Sequence, residues 1–226
     1  MGGVRADLEM RVIVQVRYNL QWGQDFPQRY DPAWYAERLH LWTTYTLPSL
    51  LRQTFTSFEC WLLCDPALYE FTVPLWQSLP DSRFRMVWDY REAYSQHGSE
   101  PVLLCRVDSD DMLHQWAVRD MAKWCRPGQY VQLMNGYCYS PTTGEVKRWV
   151  NPSPAFLGKM FTADEFRAAT GLGHHGEVAE TSRKINCPRF VVVCHGKNVC
   201  NTMRGRFVGE LVEGEERARV RREYVI

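Results

Sequence analysis

The 226-residue chain has no surplus of charge of either sign: 27 Lys and Arg stand against 26 Asp and Glu, a formal net charge of +1. That removes the global electrostatic pull of a dedicated nucleic-acid binder, although a local basic surface stays compatible with the count. No apolar stretch is long enough to span a bilayer, and Met1 to Asp7 holds no apolar signal core. A soluble, cytoplasmic protein is therefore expected, one that reaches any membrane-borne acceptor from outside the bilayer. The eight cysteines never form the close pairs of a structural zinc site. Cys64, Cys105 and Cys194 sit inside apolar runs, which points to buried free thiols and a reducing compartment. Internal repeats and low-complexity linkers are lacking as well. With 45% hydrophobic residues the chain can bury a full core, and a single domain over 1–226 is expected.

What is present is an alternation of strand-like and helix-like segments. Apolar runs at Arg11 to Val16, Glu59 to Cys64, Phe84 to Trp88, Val102 to Val107 and Phe190 to Cys194 read as buried strands. Pro32 to Leu51 carries a helical pattern that Pro48 must start, kink or interrupt, and Met112 to Cys125 reads as a second helix ended by Pro127-Gly128. Tyr130 to Met134 and Glu145 to Val150 flank a turn at Ser140 to Gly144, which suggests a hairpin. The sum is an α/β sandwich around a mixed, mainly parallel sheet.

One stretch concentrates the chemistry. Val102 to Val107 is apolar apart from Arg106, and it ends abruptly in Asp108-Ser109-Asp110-Asp111. A strand that delivers carboxylates to the end of a sheet places them where open α/β sheets bind ligands. Carboxylates this close repel one another unless a cation lies between them, and hard oxygen donors suit Mg²⁺ or Mn²⁺ bridged to substrate phosphates. The alternatives are a plain helix N-cap or a phosphatase-type nucleophile at Asp108.

Thr46-Leu47-Pro48-Ser49-Leu50, then Gln53-Thr54 and Phe58-Glu59, then an apolar strand ending at Asp65, resembles the opening unit of nucleotide-sugar glycosyltransferases with the GT-A fold. Arg106 to Asp111 is similar to their Asp-x-Asp motif. With Arg17-Tyr18-Asn19 near the start and Val193-Cys194-His195-Gly196-Lys197-Asn198 near the end, the closer match is to the rhamnosyltransferase-like family. The resemblance implies a GT-A-like three-layer α/β/α sandwich, with residues 10–111 as a nucleotide-binding half, 112–206 as an acceptor-side half and 207–226 as a C-terminal tail. It also implies transfer of a sugar from a nucleotide-diphosphate donor to a hydroxyl, with Mn²⁺ or Mg²⁺ as cofactor. The acceptor would be a glycan, a lipid-linked sugar or a small molecule, with a modified nucleic-acid base as a further option.

Carried onto this chain, the family pattern makes Asp110 the direct metal ligand and Asp108 a contact to the ribose or, through water, the metal, with Asp111 in support. His195 would complete the metal shell, or else is a structural histidine near a core strand. Arg17, Arg106 and Lys197 would meet the nucleotide or its phosphates; for Arg106 a structural salt bridge is the competing reading. Asp65 would bind the base of the nucleotide, or cap the turn before Pro66. The glycine-flanked loop Gly171 to Glu177 offers Glu177 or His175 as catalytic base for an inverting transfer. Trp22, Trp88 and Trp149 are candidates for stacking on sugars. Two other classes stay open: a phosphate-processing hydrolase with Asp108 as nucleophile, and a carbohydrate- or nucleotide-binding module without catalysis.

Overall fold

The structure is a computed structural model that describes residues 10–20, 27–151, 155–173, 181–198 and 202–226. Four strands, β1 (Arg11–Arg17), β2 (Glu59–Leu63), β3 (Phe84–Val87) and β4 (Val102–Asp108), pair in parallel in the order β3-β2-β1-β4. They are apolar nearly throughout because both sheet faces are covered. Val12, Val14 and Val16 face a core shared with Trp42, Leu50 and Met121, whereas Ile13, Trp61 and Leu104 face the other side, against Tyr94 and Phe166. Cys60, Cys64, Cys105, Cys125, Cys138 and Cys194 are buried free thiols. No described helix is long and apolar enough to cross a membrane.

Beyond β4 the sheet turns antiparallel. β8 (Leu157–Phe161) pairs with β4 and with β6 (Tyr130–Tyr139), and the expected hairpin joins β6 to β7 (Val146–Val150) around Ser140 to Gly144. β9 (Arg183–Val193) then runs parallel along β6. That approach requires a glycine: a Cβ on Gly136 would lie 2.4 Å from the Phe190 carbonyl oxygen. β10 (Val208–Leu211) adds to β7, and a helix over Gly214–Tyr224 buries Val220 and Tyr224 while its charged side stays in solvent.

Two segments differ from expectation. Pro32 to Leu51 is helical throughout but not uniform: α1 (Pro32–Leu41) widens into a π turn at Trp42–Thr46, where the Leu47 amide reaches back to the Trp42 carbonyl, before α2 (Leu47–Leu51). Pro48 has no N–H to give and its ring crowds the preceding turn; the wider turn relieves both. Met112 to Cys125 is not one helix. Met112–Leu113 forms a short strand, β5, against Val191 and Phe190 of β9, and the helix, α3, begins only at Ala117 and ends at Trp124. Strand pairing and full burial of Met112 and Leu113 override their helical spacing.

Candidate active site

β1, β2 and β4 end on the same edge of the sheet, and the parallel register sets Arg17 beside Asp108. Arg17 donates from Nε and Nη2 to Oδ1 of Asp108, at 2.9 and 2.5 Å. Arg106 lies one alternation back on the same face as Asp108. It is buried, donating from Nε to the Ala155 carbonyl at 3.1 Å, while its buried Nη2 has no partner among the described residues. Among the described residues it forms no salt bridge. Burial, helped by the charge of Arg17, pushes its pKa down to about 10.

The loop after β4 is tied to the far strand. Oδ1 of Asp111 accepts the Val193 amide at 3.0 Å, and this joins the acidic loop to the end of β9. Burial, with the charges of Asp110 and Asp108, raises the Asp111 carboxyl well above the usual range. The chain then turns at Gly196, whose φ of +85° favours glycine. Asn198 locks that turn, accepting from the His195 amide and donating to the Val193 carbonyl, each at 2.8 Å. His195 is thereby delivered to Asp110, its Nε2 3.0 Å from Oδ2, with both side chains largely buried. Burial works against ionisation of Asp110, but the His195 hydrogen bond and the Arg38 charge outweigh it and hold the carboxyl below its usual range.

Helix α1 supplies what sequence reasoning missed. Arg38 places Nη1 3.2 Å from Asp110 Oδ2 and donates to Ser109 Oγ at 3.2 Å. Glu37 contacts Lys197 through Oε2, and its Oε1 lies 3.8 Å from His195 Nδ1, a buried nitrogen without a hydrogen-bond partner among the described residues. The available signal was weak: both charges fall on the half-buried side of the helix with Trp34 and Leu41. Arg29, also unforeseen, donates to Asp65 Oδ2 at 2.7 Å. The other Asp65 oxygen caps the following turn at the Ala67 amide, so the capping role is present together with an arginine contact. Its own amide donates to Asn19 Oδ1 at 2.7 Å.

Asp110, Asp108, Arg17, Arg106 and His195 thus converge, with Lys197 at an exposed margin. Glu177, His175 and Trp22 lie outside the described residues. Trp149 is buried against Phe207, and Trp88 is half-buried beside Tyr69. The Ser49 and Gln53 landmarks turn out to be a clamp on the chain after the acidic loop. Ser49 Oγ accepts the Leu113 amide, and Gln53 bonds the carbonyls of Ser49 and His114 and the Val118 amide.

The residues fit a divalent cation. Two donors 3.0 Å apart have the separation of adjacent ligands around an ion with bonds of about 2.1 Å. A carboxylate oxygen suits Mg²⁺ or Mn²⁺, and neutral imidazole is a common metal ligand. Among the described residues no group of three or more His, Cys, Asp or Glu is arranged as a ready-made metal cage, so further ligands would come from phosphate and water.

No curated protein matches the chain. Among solved structures it is similar to the crystal structure of S. aureus TarS 1-349, at 12% identity and a TM-score of 0.43, over 81% of this chain. The chain spans about 60% of the length of that protein. A family profile described as "Putative rhamnosyl transferase" matches residues 21–206, and the chain belongs to that family of glycosyltransferases.

Proposed function

We propose that the chain transfers a sugar from a nucleoside-diphosphate donor to a hydroxyl of a glycan, lipid-linked sugar or small molecule, with Mn²⁺ or Mg²⁺ held by Asp110 and His195 and Asp108 nearby. One juxtaposition supports this most. A buried carboxylate–imidazole pair spaced for a cation shares a sheet edge with Arg106, a buried guanidinium with a free nitrogen for an anion. A divalent cation together with a diphosphate would satisfy both.

Transfer breaks the anomeric C–O bond, and negative charge grows on the departing diphosphate. The bound cation supplies a compact positive charge there. Arg106 offers a donor that costs no reorganisation, and Arg17 shares its guanidinium between Asp108 and the phosphates. Arg38 keeps Asp110 ionised and aimed. Asp65, with Arg29, stands at the β2 end for the nucleotide base, and Lys197 meets the phosphates as a point charge. Glu177 or His175 would take the acceptor proton if the transfer inverts.

Calorimetry with UDP, GDP and dTDP, with Mn²⁺ or chelator, tests the reading. Nucleotide and metal are expected each to strengthen binding of the other. Affinity untouched by chelation would remove the metal and leave nucleotide binding; no affinity for any of the three would remove the donor site altogether.

A further inference from the structure

We infer that Glu37 is the positioning residue of His195: it faces Nδ1 of the imidazole and so turns Nε2 toward the cation. The inference rests on the proposed metal site and extends it to helix α1. His195 has a ring nitrogen on each side of the question. Nε2 points at Asp110 at 3.0 Å, whereas Nδ1 is buried and has no hydrogen bond among the described residues, with the Glu37 carboxylate 3.8 Å away. A ligating imidazole must present a bare nitrogen to the metal, which places its proton on the opposite nitrogen, and that proton needs an acceptor. Glu37 is the carboxylate in place to be one.

Two further observations make the arrangement directional. Lys197 engages Oε2 of Glu37, leaving Oε1 on the side of the ring. The backbone of His195 is independently fixed by Asn198, so the remaining freedom of the side chain is rotation of the imidazole, and that is what a partner at Nδ1 removes. Arg38, the next residue on the same helix, contacts Asp110. Adjacent residues of α1 therefore orient the two proposed ligands, one each, and the helix acts as a jig across the acidic loop and the turn after β9.

The test compares wild type, Glu37→Ala, Glu37→Gln and His195→Ala by Mn²⁺ titration in the presence of a nucleoside diphosphate. Two-bond ¹H–¹⁵N correlation spectra of the Mg²⁺-loaded proteins report the imidazole tautomer. Glu37→Ala is expected to weaken Mn²⁺ binding about 10- to 100-fold and to abolish the Nδ1–H preference of His195, with little change in metal-free melting temperature. Glu37→Gln, which keeps an oxygen acceptor of the same reach, is expected to retain most of the affinity and the Nδ1–H tautomer. A merely structural glutamate would shift the melting temperature and leave both readouts alone. If His195→Ala binds Mn²⁺ weakly while Glu37→Ala binds like wild type, the inference is overturned and the metal site stands. If the wild type itself fails to bind Mn²⁺, both fall.

Discussion

Gln53 uses everything it has: its amide nitrogen donates to the Ser49 and His114 carbonyls and its oxygen accepts from Val118. The surroundings of the acidic loop, a few residues before His114, follow the opposite rule, although its own side chains are paired. Of the six buried side-chain atoms without a partner among the described residues, three belong to its edge of the sheet: Arg29 Nε, Arg106 Nη2 and His195 Nδ1. Both regions are polar and largely buried, so burial alone does not separate them. Satisfaction does. Buried polar groups in folded proteins are nearly always paired, and a cluster of exceptions at the carboxyl ends of parallel strands marks a place where a ligand completes the bonding. A closed polar network holds a fold; one left open beside a strand edge receives something.

The contrast breaks first at Asp110. Asp110→Asn is expected to cut transfer at least 100-fold, measured as sugar-nucleotide turnover, because it loosens the hold on the cation proposed to offset the charge of the departing diphosphate. Near-normal turnover by the folded variant would make the loop as structural as the Gln53 clamp. The converse substitution, Gln53→Ala, strands a buried carbonyl and a buried amide and should lower stability by about 2–4 kcal/mol in urea unfolding. Nucleotide affinity per folded molecule should not move; a drop would mean that the clamp belongs to the site.

His114 sharpens the comparison through pH. Burial pushes its pKa from 6.5 down to about 4, and Nδ1 of the neutral ring lies 3.3 Å from the Trp116 amide as acceptor. Between those values the unfolded chain takes up a proton that the folded chain refuses. Stability is therefore full above pH 6.5 and falls as the pH drops toward 4, by about 2–3 kcal/mol. His114→Gln should flatten that part of the pH–stability curve, and an unchanged slope would locate the acid sensitivity elsewhere. The smallest effect belongs to Arg106. Arg106→Met removes a buried charge that has no salt bridge among the described residues, so metal-free stability should hold or rise, while nucleoside-diphosphate affinity falls roughly tenfold. A large loss of metal-free stability would assign Arg106 to the fold.

Much of this was legible from the residues because it is local. The apolar runs that became β1 to β4 announce themselves, and an acid cluster after such a run can only emerge at a strand end. Arg17 was legible as a strand-end charge, but its pairing with Asp108 needed the parallel register of β1 and β4. What escaped reading is tertiary. Glu37 and Arg38 look like ordinary helical charges until α1 packs over the loop, and Arg29 meets Asp65 across 36 residues. The start of α3 was misplaced because Met112 and Leu113 have helical spacing, and only the presence of β9 makes them a strand.

The pairing of β9 with β6 also orders the site in time. Asp108 and Arg17 are 91 residues apart and belong to strands that meet once the chain up to residue 111 is available. Asp110 and His195 are separated by another 85, and the imidazole cannot arrive until β9 has threaded along β6 and captured Asp111. Such non-local strand pairing is slow, since loop closure precedes the contacts that reward it. A chain halted before β9 therefore holds Arg17, Arg106 and the acidic cluster without His195, and the proposed site closes only when strands from both halves of the chain have paired.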